Sequence, residues 1–290
     1  MHQIAPMSED QAAIKAAVEK TLEPFGDDYW AKTDETGDWP EEFCDAMAAG
    51  GWLGIAFPEE YGGAGLGLTE AALMMHTVGR SAGGFAAAST IHINLFGPHP
   101  VKRFGTPEQK DRILKPLIAG EDKVCFGVTE PNAGLDTTSI TTFATKVDGG
   151  YRVTGRKIWT TSGQVANKIL LLTRTTPKDQ CKKSTEGMTL FYTDLDRTFV
   201  TVREIEKMGR KCVDSNELFI DGLPIPAEDL IGEEGQGFRQ ILHGLNPERV
   251  LIAAEAVGIG RNALRRAADY ANERVVFGRP IGQNQGVQHP

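Results

Sequence analysis

The chain has 290 residues, 40% hydrophobic and 24% charged, with 33 Gly and 15 Pro, which is globular composition with length for two domains and a sizeable core. Thirty-one Lys and Arg against 39 Asp and Glu leave a net charge of -8, which argues against nucleic acid as the main partner. No membrane span is expected, because apolar runs such as Ala71 to Met75 and Val250 to Ala254 are far too short to cross a bilayer.

The opening Met1-His2-Gln3-Ile4-Ala5-Pro6 lacks a basic stretch followed by an apolar one, and no Arg-rich transit segment is seen. Cys44, Cys125, Cys181 and Cys212 lie far apart without a C-x-x-C pair, so free thiols in a reducing compartment are expected. The cytoplasm fits best, with the mitochondrial matrix as the alternative.

To about Asp122 the chain reads as helices separated by Gly and Pro. Ser8 caps a first helix that ends at Pro24, with Gln11 three residues on and Ile14, Val18, Thr21 and Leu22 at helical spacing. Further helices are expected from Pro40 to about Gly50, Thr69 to about Ser81 and Pro107 to Ala119, with a loop at Pro58 to Gly65. From about Val124 the period changes. Tyr151 to Thr161, Lys168 to Thr173, Met188 to Thr193, Phe199 to Val202 and Asn216 to Ile220 are short, β-branched or aromatic runs bounded by turns such as Asp148-Gly149-Gly150. No helical pattern separates them, so an antiparallel sheet is expected. A long helix is predicted from about Pro247 to Glu273, with Val250, Ala254, Val257, Leu264, Ala268 and Ala271 on one face and Ala253, Ala256, Gly260, Ala263 and Ala267 as a second stripe. Two packing faces need two partners, and the segment after Gly278-Arg279-Pro280 supplies few; further chain or another subunit is expected to cover the rest.

The fold class is therefore α+β and multidomain: a helical N-terminal domain over residues 1–122, a middle antiparallel β-barrel-like domain over 123–225, and the start of an incomplete C-terminal helical bundle over 226–290. Gly258-Ile259-Gly260-Arg261-Asn262-Ala263 matches a dinucleotide-binding pattern but lies within the long helix with no strand before it, so close helix packing is the reading preferred. His2, His76, His92, His99, His243 and His289 show no metal-ligand spacing, and no metal site is expected; His92, beside Asn94 on an apolar segment, reads as a satisfied buried histidine.

Two blocks carry chemistry. In Gly127-Val128-Thr129-Glu130-Pro131-Asn132-Ala133-Gly134-Leu135-Asp136 a turn forced by Pro131 and Gly134 can converge backbone N–H groups on acceptor atoms, and Thr129 adds a hydroxyl. Within a strand some way on, Lys157-Ile158-Trp159-Thr160-Thr161-Ser162-Gly163 places Trp159 and Thr161 on one face, an aromatic wall beside a donor suited to a flat ligand. Core packing for Trp159 and simple strand formation for the threonines remain the plain alternatives.

Together with Pro58 to Gly63, Lys207-Met208-Gly209-Arg210, Asp229 to Phe238 and Arg274-Val275-Val276-Phe277-Gly278, these blocks resemble the acyl-CoA dehydrogenase flavoprotein family in order and spacing over nearly the whole chain. The resemblance implies a helical, a β and a helical domain, with the last cut short, and FAD between the second and third. It implies that Phe126, Val128, Thr129 and Gly134 contact the flavin, that Trp159 covers the ring system with Thr160 beside it, and that Thr161 bonds near the hydride acceptor. Arg274, Phe277 and Gln285 match positions that reach the FAD of a neighbouring subunit, which implies a homo-oligomer, dimer or tetramer. Leu135, Asn246 and Arg249 match acyl-CoA contacts. Leu135 stands where the family usually has Ser or Thr and cannot donate, and Asn246 replaces the acid of some members. The glutamate of many members lies in a later segment than this chain contains, but isovaleryl and long-chain members carry the base just before the arginine, where Glu248 stands. A plain first-turn glutamate after Pro247 is the alternative reading for Glu248.

The activity implied is α,β-dehydrogenation of an acyl-CoA, with electron-transfer flavoprotein as electron acceptor. An oxidase or monooxygenase of the same fold, or a non-catalytic assembly or binding member, are the alternatives.

Overall fold

The computed structural model describes residues 6–289; the opening segment around His2 and the terminal Pro290 lie outside the described residues. Seven helices come first: α1 (Glu9–Leu22), α2 (Asp27–Thr36), α3 (Glu41–Ala49), α4 (Leu68–Arg80), α5 (Gly84–Phe96), α6 (His99–Phe104) and α7 (Pro107–Ile118). Ser8 caps α1 as expected, its Oγ accepting from the Gln11 N–H at 3.1 Å. Of these helices α2, α5 and α6 were not anticipated. The reason is clearest for α5, which is buried nearly all round, from Ala87 to Ile91 and from Ile93 to Phe96, so no two-faced period marks it.

The strands are β1 (Val124–Gly127), β2 (Phe143–Val147), β3 (Gly150–Thr161), β4 (Lys168–Arg174), β5 (Met188–Asp194), β6 (Val200–Glu204) and β7 (Ser215–Pro226). They form one sheet in the order β1-β4-β2-β3-β7-β6, with β5 also on β4. Most pairs are antiparallel as read from the sequence, but the sheet is mixed. β1 joins β4 in parallel, Phe126 opposite Leu170, because β1 enters directly from the helical layer. One face packs with the helices through Val124, Leu170, Leu172, Leu190 and Tyr192. The other closes over Val153, Ile169, Leu171, Phe191, Leu218 and Ile225.

The long helix α8 runs over Gly237–Glu273, followed by the short strands β8 (Val275–Val276) and β9 (Arg279–Pro280) and a last turn, α9 (Gln285–Gln288). It starts ten residues earlier than the sequence suggested, and Pro247 lies inside it. Its first turns bury Gly237, Gln240, Ile241 and Gly244, a stripe too polar and small to register as a hydrophobic period. Further along, the buried face is Leu251, Glu255, Gly258 and Asn262 rather than the predicted Val250, Val257 and Leu264, which are 43%, 53% and 69% exposed. The small-residue stripe from Ala253 to Ala267 is exposed as well; of the first stripe Ala271 is buried and Ala254 half-buried, and the rest is exposed.

The crossing of α4 and α8 explains the glycine pattern. A Cβ on Gly258 would stand 2.2 Å from the His76 carbonyl oxygen, and one on Gly79 would stand 2.8 Å from that of Glu255. The Gly258 motif is thus a helix contact, as read. The four cysteines are free thiols, and no helix among the described residues is long and apolar enough to cross a membrane.

Gly258→Ala forces the two backbones apart and is expected to cost about 1 to 3 kcal/mol, measured as a lower urea midpoint at unchanged m-value. Gly260→Ala, where nothing lies within 4 Å, is expected to leave the midpoint the same or slightly raised, since alanine favours the helix.

Candidate active site

A cleft of about 220 Å³ opens between α5, the sheet and α8, lined by Phe85, Ser89, His92, Ile93, Phe96, Phe126, Thr129, Ile158, Trp159, Thr161, Arg210, Glu248 and Ile252. Five residues singled out from the sequence meet there: Phe126, Thr129, Trp159, Thr161 and Glu248.

The sheet wall is held from behind. Lys157 is fully buried, and its ammonium donates to the Val128 carbonyl at 3.0 Å and to Glu130 Oε1 at 2.9 Å. Glu130 also accepts from the Thr141 N–H and hydroxyl at 2.7 and 2.8 Å and from the Thr142 N–H at 2.9 Å. Burial alone would push the Glu130 carboxyl up, but the Lys157 charge and these donors outweigh it and hold it at about 2. Glu130 and Ala133 exchange backbone bonds of 3.1 and 3.0 Å, which closes the turn around Pro131. The Ile158 N–H then donates to the Thr129 carbonyl at 2.9 Å, so the loop and β3 present one surface.

Simple alternation does not describe that surface. The β3–β7 register shifts between Lys157 and Thr160, and Trp159 has φ +61°. A bulky residue there is a genuine outlier. The bulge turns Trp159 outward, 61% exposed, so Ile158, Trp159 and Thr161 all line the cleft while Lys157 and Thr160 face inward. The Thr160 and Ser162 hydroxyls are buried without a partner among the described residues. An exposed indole beside Phe126, with the Thr129 and Thr161 hydroxyls at hand, fits a planar heteroaromatic ring with polar edges.

The remaining candidates fall elsewhere. Val128 is buried and contributes its carbonyl to Lys157. Gly134 and Leu135 lie on the exposed turn, and the Leu135 side chain touches little. Asn246 and Arg249 sit on the exposed side of α8, the guanidinium donating to Asn246 Oδ1 at 2.7 Å. Arg274, Phe277 and Gln285 lie beyond the end of α8 and do not line the cleft. Phe277 is fully exposed at φ +53°.

Glu248 is not a first-turn residue, because α8 begins at Gly237 and the helix N-terminus is three turns away. That removes the plain explanation offered for it. Its Oε1 lies 3.8 Å from His92 Nε2, and His92 Nδ1 lies 2.5 Å from Oε1 of the fully buried Glu255. Burial lowers the His92 pKa, yet the two carboxylates outweigh it and raise it to about 9. His92 and Arg210 were not predicted to line this site. Arg210 donates to the Ser89 hydroxyl at 2.8 Å and stacks on Phe85 with 5.1 Å to the ring centre. The sequence signal for His92 was present, a histidine on an otherwise apolar helix, but its partner lies 163 residues away.

Three family models cover most of the chain: acyl-CoA dehydrogenase N-terminal domain over residues 8–121, middle domain over 125–223 and C-terminal domain over 235–290. The chain belongs to the acyl-CoA dehydrogenase family. It is 35% identical over 255 residues to an acyl-CoA dehydrogenase of Bacillus subtilis, covering 88% of this chain and 66% of that protein. An isovaleryl-CoA dehydrogenase of Arabidopsis thaliana is 32% identical over 96% of this chain and 68% of its own length. Among solved structures, butyryl-CoA dehydrogenase from Megasphaera elsdenii superposes with a TM-score of 0.91 at 29% identity, over 99% of this chain and 75% of that one. An FAD complex of PigA superposes at 0.90 with 25% identity, over 99% and 74%. The chain thus spans about two thirds of the length of these curated relatives.

The Lys157–Glu130 pair makes the cleft acid-sensitive. With its folded pKa depressed from 4.5 to about 2, Glu130 contributes stability that is complete above 4.5 and is lost as the pH falls toward 2. Lys157→Met is expected to lower stability at pH 7 by about 3 to 5 kcal/mol and to flatten the acid slope in that window. Denaturant melts of both proteins between pH 5 and 2 measure this.

Proposed function

We propose that this chain carries the flavin site and base of an FAD-dependent acyl-CoA dehydrogenase, with Glu248 taking the α-proton of the thioester. The observation that carries the reading is the convergence of Phe126, Thr129, Trp159, Thr161 and Glu248 on one cleft. When bound, FAD supplies the acceptor for the β-hydrogen, which leaves as hydride.

The residues divide the rest of the work. Trp159 and Phe126 give the ring system an apolar wall and exclude water, and Thr129 and Thr161 offer hydroxyls to its polar edges. Glu248, partly exposed on the opposite wall, is free to receive a proton. Loss of that proton builds negative charge on the thioester oxygen, so donors at the oxygen are required. Arg249, one residue on and on the solvent side of α8, would meet the CoA portion, with Asn246 holding its guanidinium.

Arg274, Phe277 and Gln285, exposed and away from the cleft, are proposed to reach the FAD of a second copy. The proposed assembly is a homo-oligomer that passes electrons to an electron-transfer flavoprotein. The choice of Glu248 follows the family resemblance, which implies that isovaleryl members carry the base just before the arginine; an isovaleryl-CoA dehydrogenase is among the relatives.

The test is an anaerobic visible spectrum of the chain with FAD, titrated with saturated acyl-CoAs. Bleaching of the flavin band by one of them is expected, with Glu248→Gln slowing it about 10²- to 10⁴-fold while leaving the flavin bound. Full-rate bleaching in Glu248→Gln would remove Glu248 as the base.

A further inference from the structure

We propose that His92 is a positioning residue for the Glu248 carboxylate, itself held by Glu255, so that the cleft contains a chain of three groups rather than a lone acid. The inference rests on the reading of Glu248 as the base.

Glu248 and Glu255 are seven residues apart on α8 and share one face, two turns from each other. His92 reaches between them from α5. Glu255 has no exposed surface, and its Oε2 has no partner among the described residues. A carboxylate so placed is costly unless a cation meets it. His92 is the basic group that does so, through Nδ1 at 2.5 Å.

That contact, with Phe96 packed 4.9 Å from the imidazole centre, fixes the ring and aims Nε2 at Glu248. At 3.8 Å this is attraction between charges rather than a tight hydrogen bond. The carboxylate is steered without being capped and can still turn to a substrate. The charged groups facing the imidazole are these two glutamates of α8; Arg210, from the segment between β6 and β7, is the other cation lining the cleft. An imidazolium beside Glu248 holds the carboxylate toward the cleft until the proton arrives, which a purely structural His92–Glu255 pair would not do.

The test is magnetic resonance of the full chain, with ¹⁵N in the histidine rings, beside the bleaching assay. Glu248→Gln is expected to move the His92 titration down, since one of the two carboxylates that raise it is gone. Removing the cation with His92→Gln is expected to slow bleaching about 10- to 100-fold with the flavin still bound. Because His92→Gln leaves Glu255 buried and unpaired, the double variant His92→Gln with Glu255→Gln is measured beside it and should be slowed alike. A His92 titration unchanged in Glu248→Gln, or full-rate bleaching in both His92 variants, overturns the proposal. The two readings fail separately: an unchanged His92 titration with bleaching lost in Glu248→Gln defeats only the role of His92, whereas a His92 titration that moves with bleaching intact in Glu248→Gln defeats only the role of Glu248 as base.

Discussion

The buried contact between Lys157 and Glu130 joins segments 27 residues apart and gives the cleft its sheet wall. Neither charge would survive burial alone. The ammonium spends its protons on a carbonyl and a carboxylate, and the carboxylate fills its remaining positions with two N–H groups and a hydroxyl of Thr141 and Thr142. With both satisfied, the loop after β1 is fixed against β3 at Thr129 and Ile158. The inward pull on Lys157 coincides with the register shift that follows it. That shift turns Trp159 out of the strand's alternation and into the cleft. Stability and site geometry therefore rest on the same pair.

The facing wall depends on a different economy. The crossing of α4 and α8 brings backbones together at Gly79 and Gly258 with no room for side chains, and Asn262 anchors the next turns by donating to the Ser81 carbonyl at 3.1 Å. This fixes the rotation of α8. With Leu251, Glu255, Gly258 and Asn262 directed inward, Glu248 falls on the edge of the buried stripe, where a carboxylate keeps some water and still faces the cleft. A turn of the helix by one residue would exchange it for Arg249 or Pro247.

Much of this could be read from the residues. The early helices with caps and breakers and the strands from Tyr151 to Ile220 were legible, because capping, β-branching and turn chemistry are local; that Phe126, Thr129, Trp159 and Thr161 belong together came from the family resemblance, not from local pattern. The parallel entry of β1 was not, since nothing in four residues states which neighbour they will meet. Helix α5 was missed for the opposite reason to an exposed loop: it is buried nearly all round, and an amphipathic period needs a wet face.

The helix α8 shows most clearly where such a reading fails. Counting apolar positions selects Val250, Val257 and Leu264, yet these are exposed, and the inward face is built of three glycines, a glutamine, a glutamate and an asparagine among a few aliphatic residues. Each polar member has a task that a hydrophobic residue could not perform. Gln240 donates to the Glu233 carbonyl at 3.2 Å, Asn262 holds the Ser81 carbonyl, and Glu255 meets His92. Hydrophobic periodicity measures how much a face gains by leaving water, so it passes over a face whose contacts are specific. Because Pro247 also mimics a helix start, the sequence left a plain first-turn glutamate open as the alternative for Glu248. Seen in the interior of a helix and beside a half-buried imidazole, it needs a reason to be there, and the proposed proton transfer at the cleft supplies one.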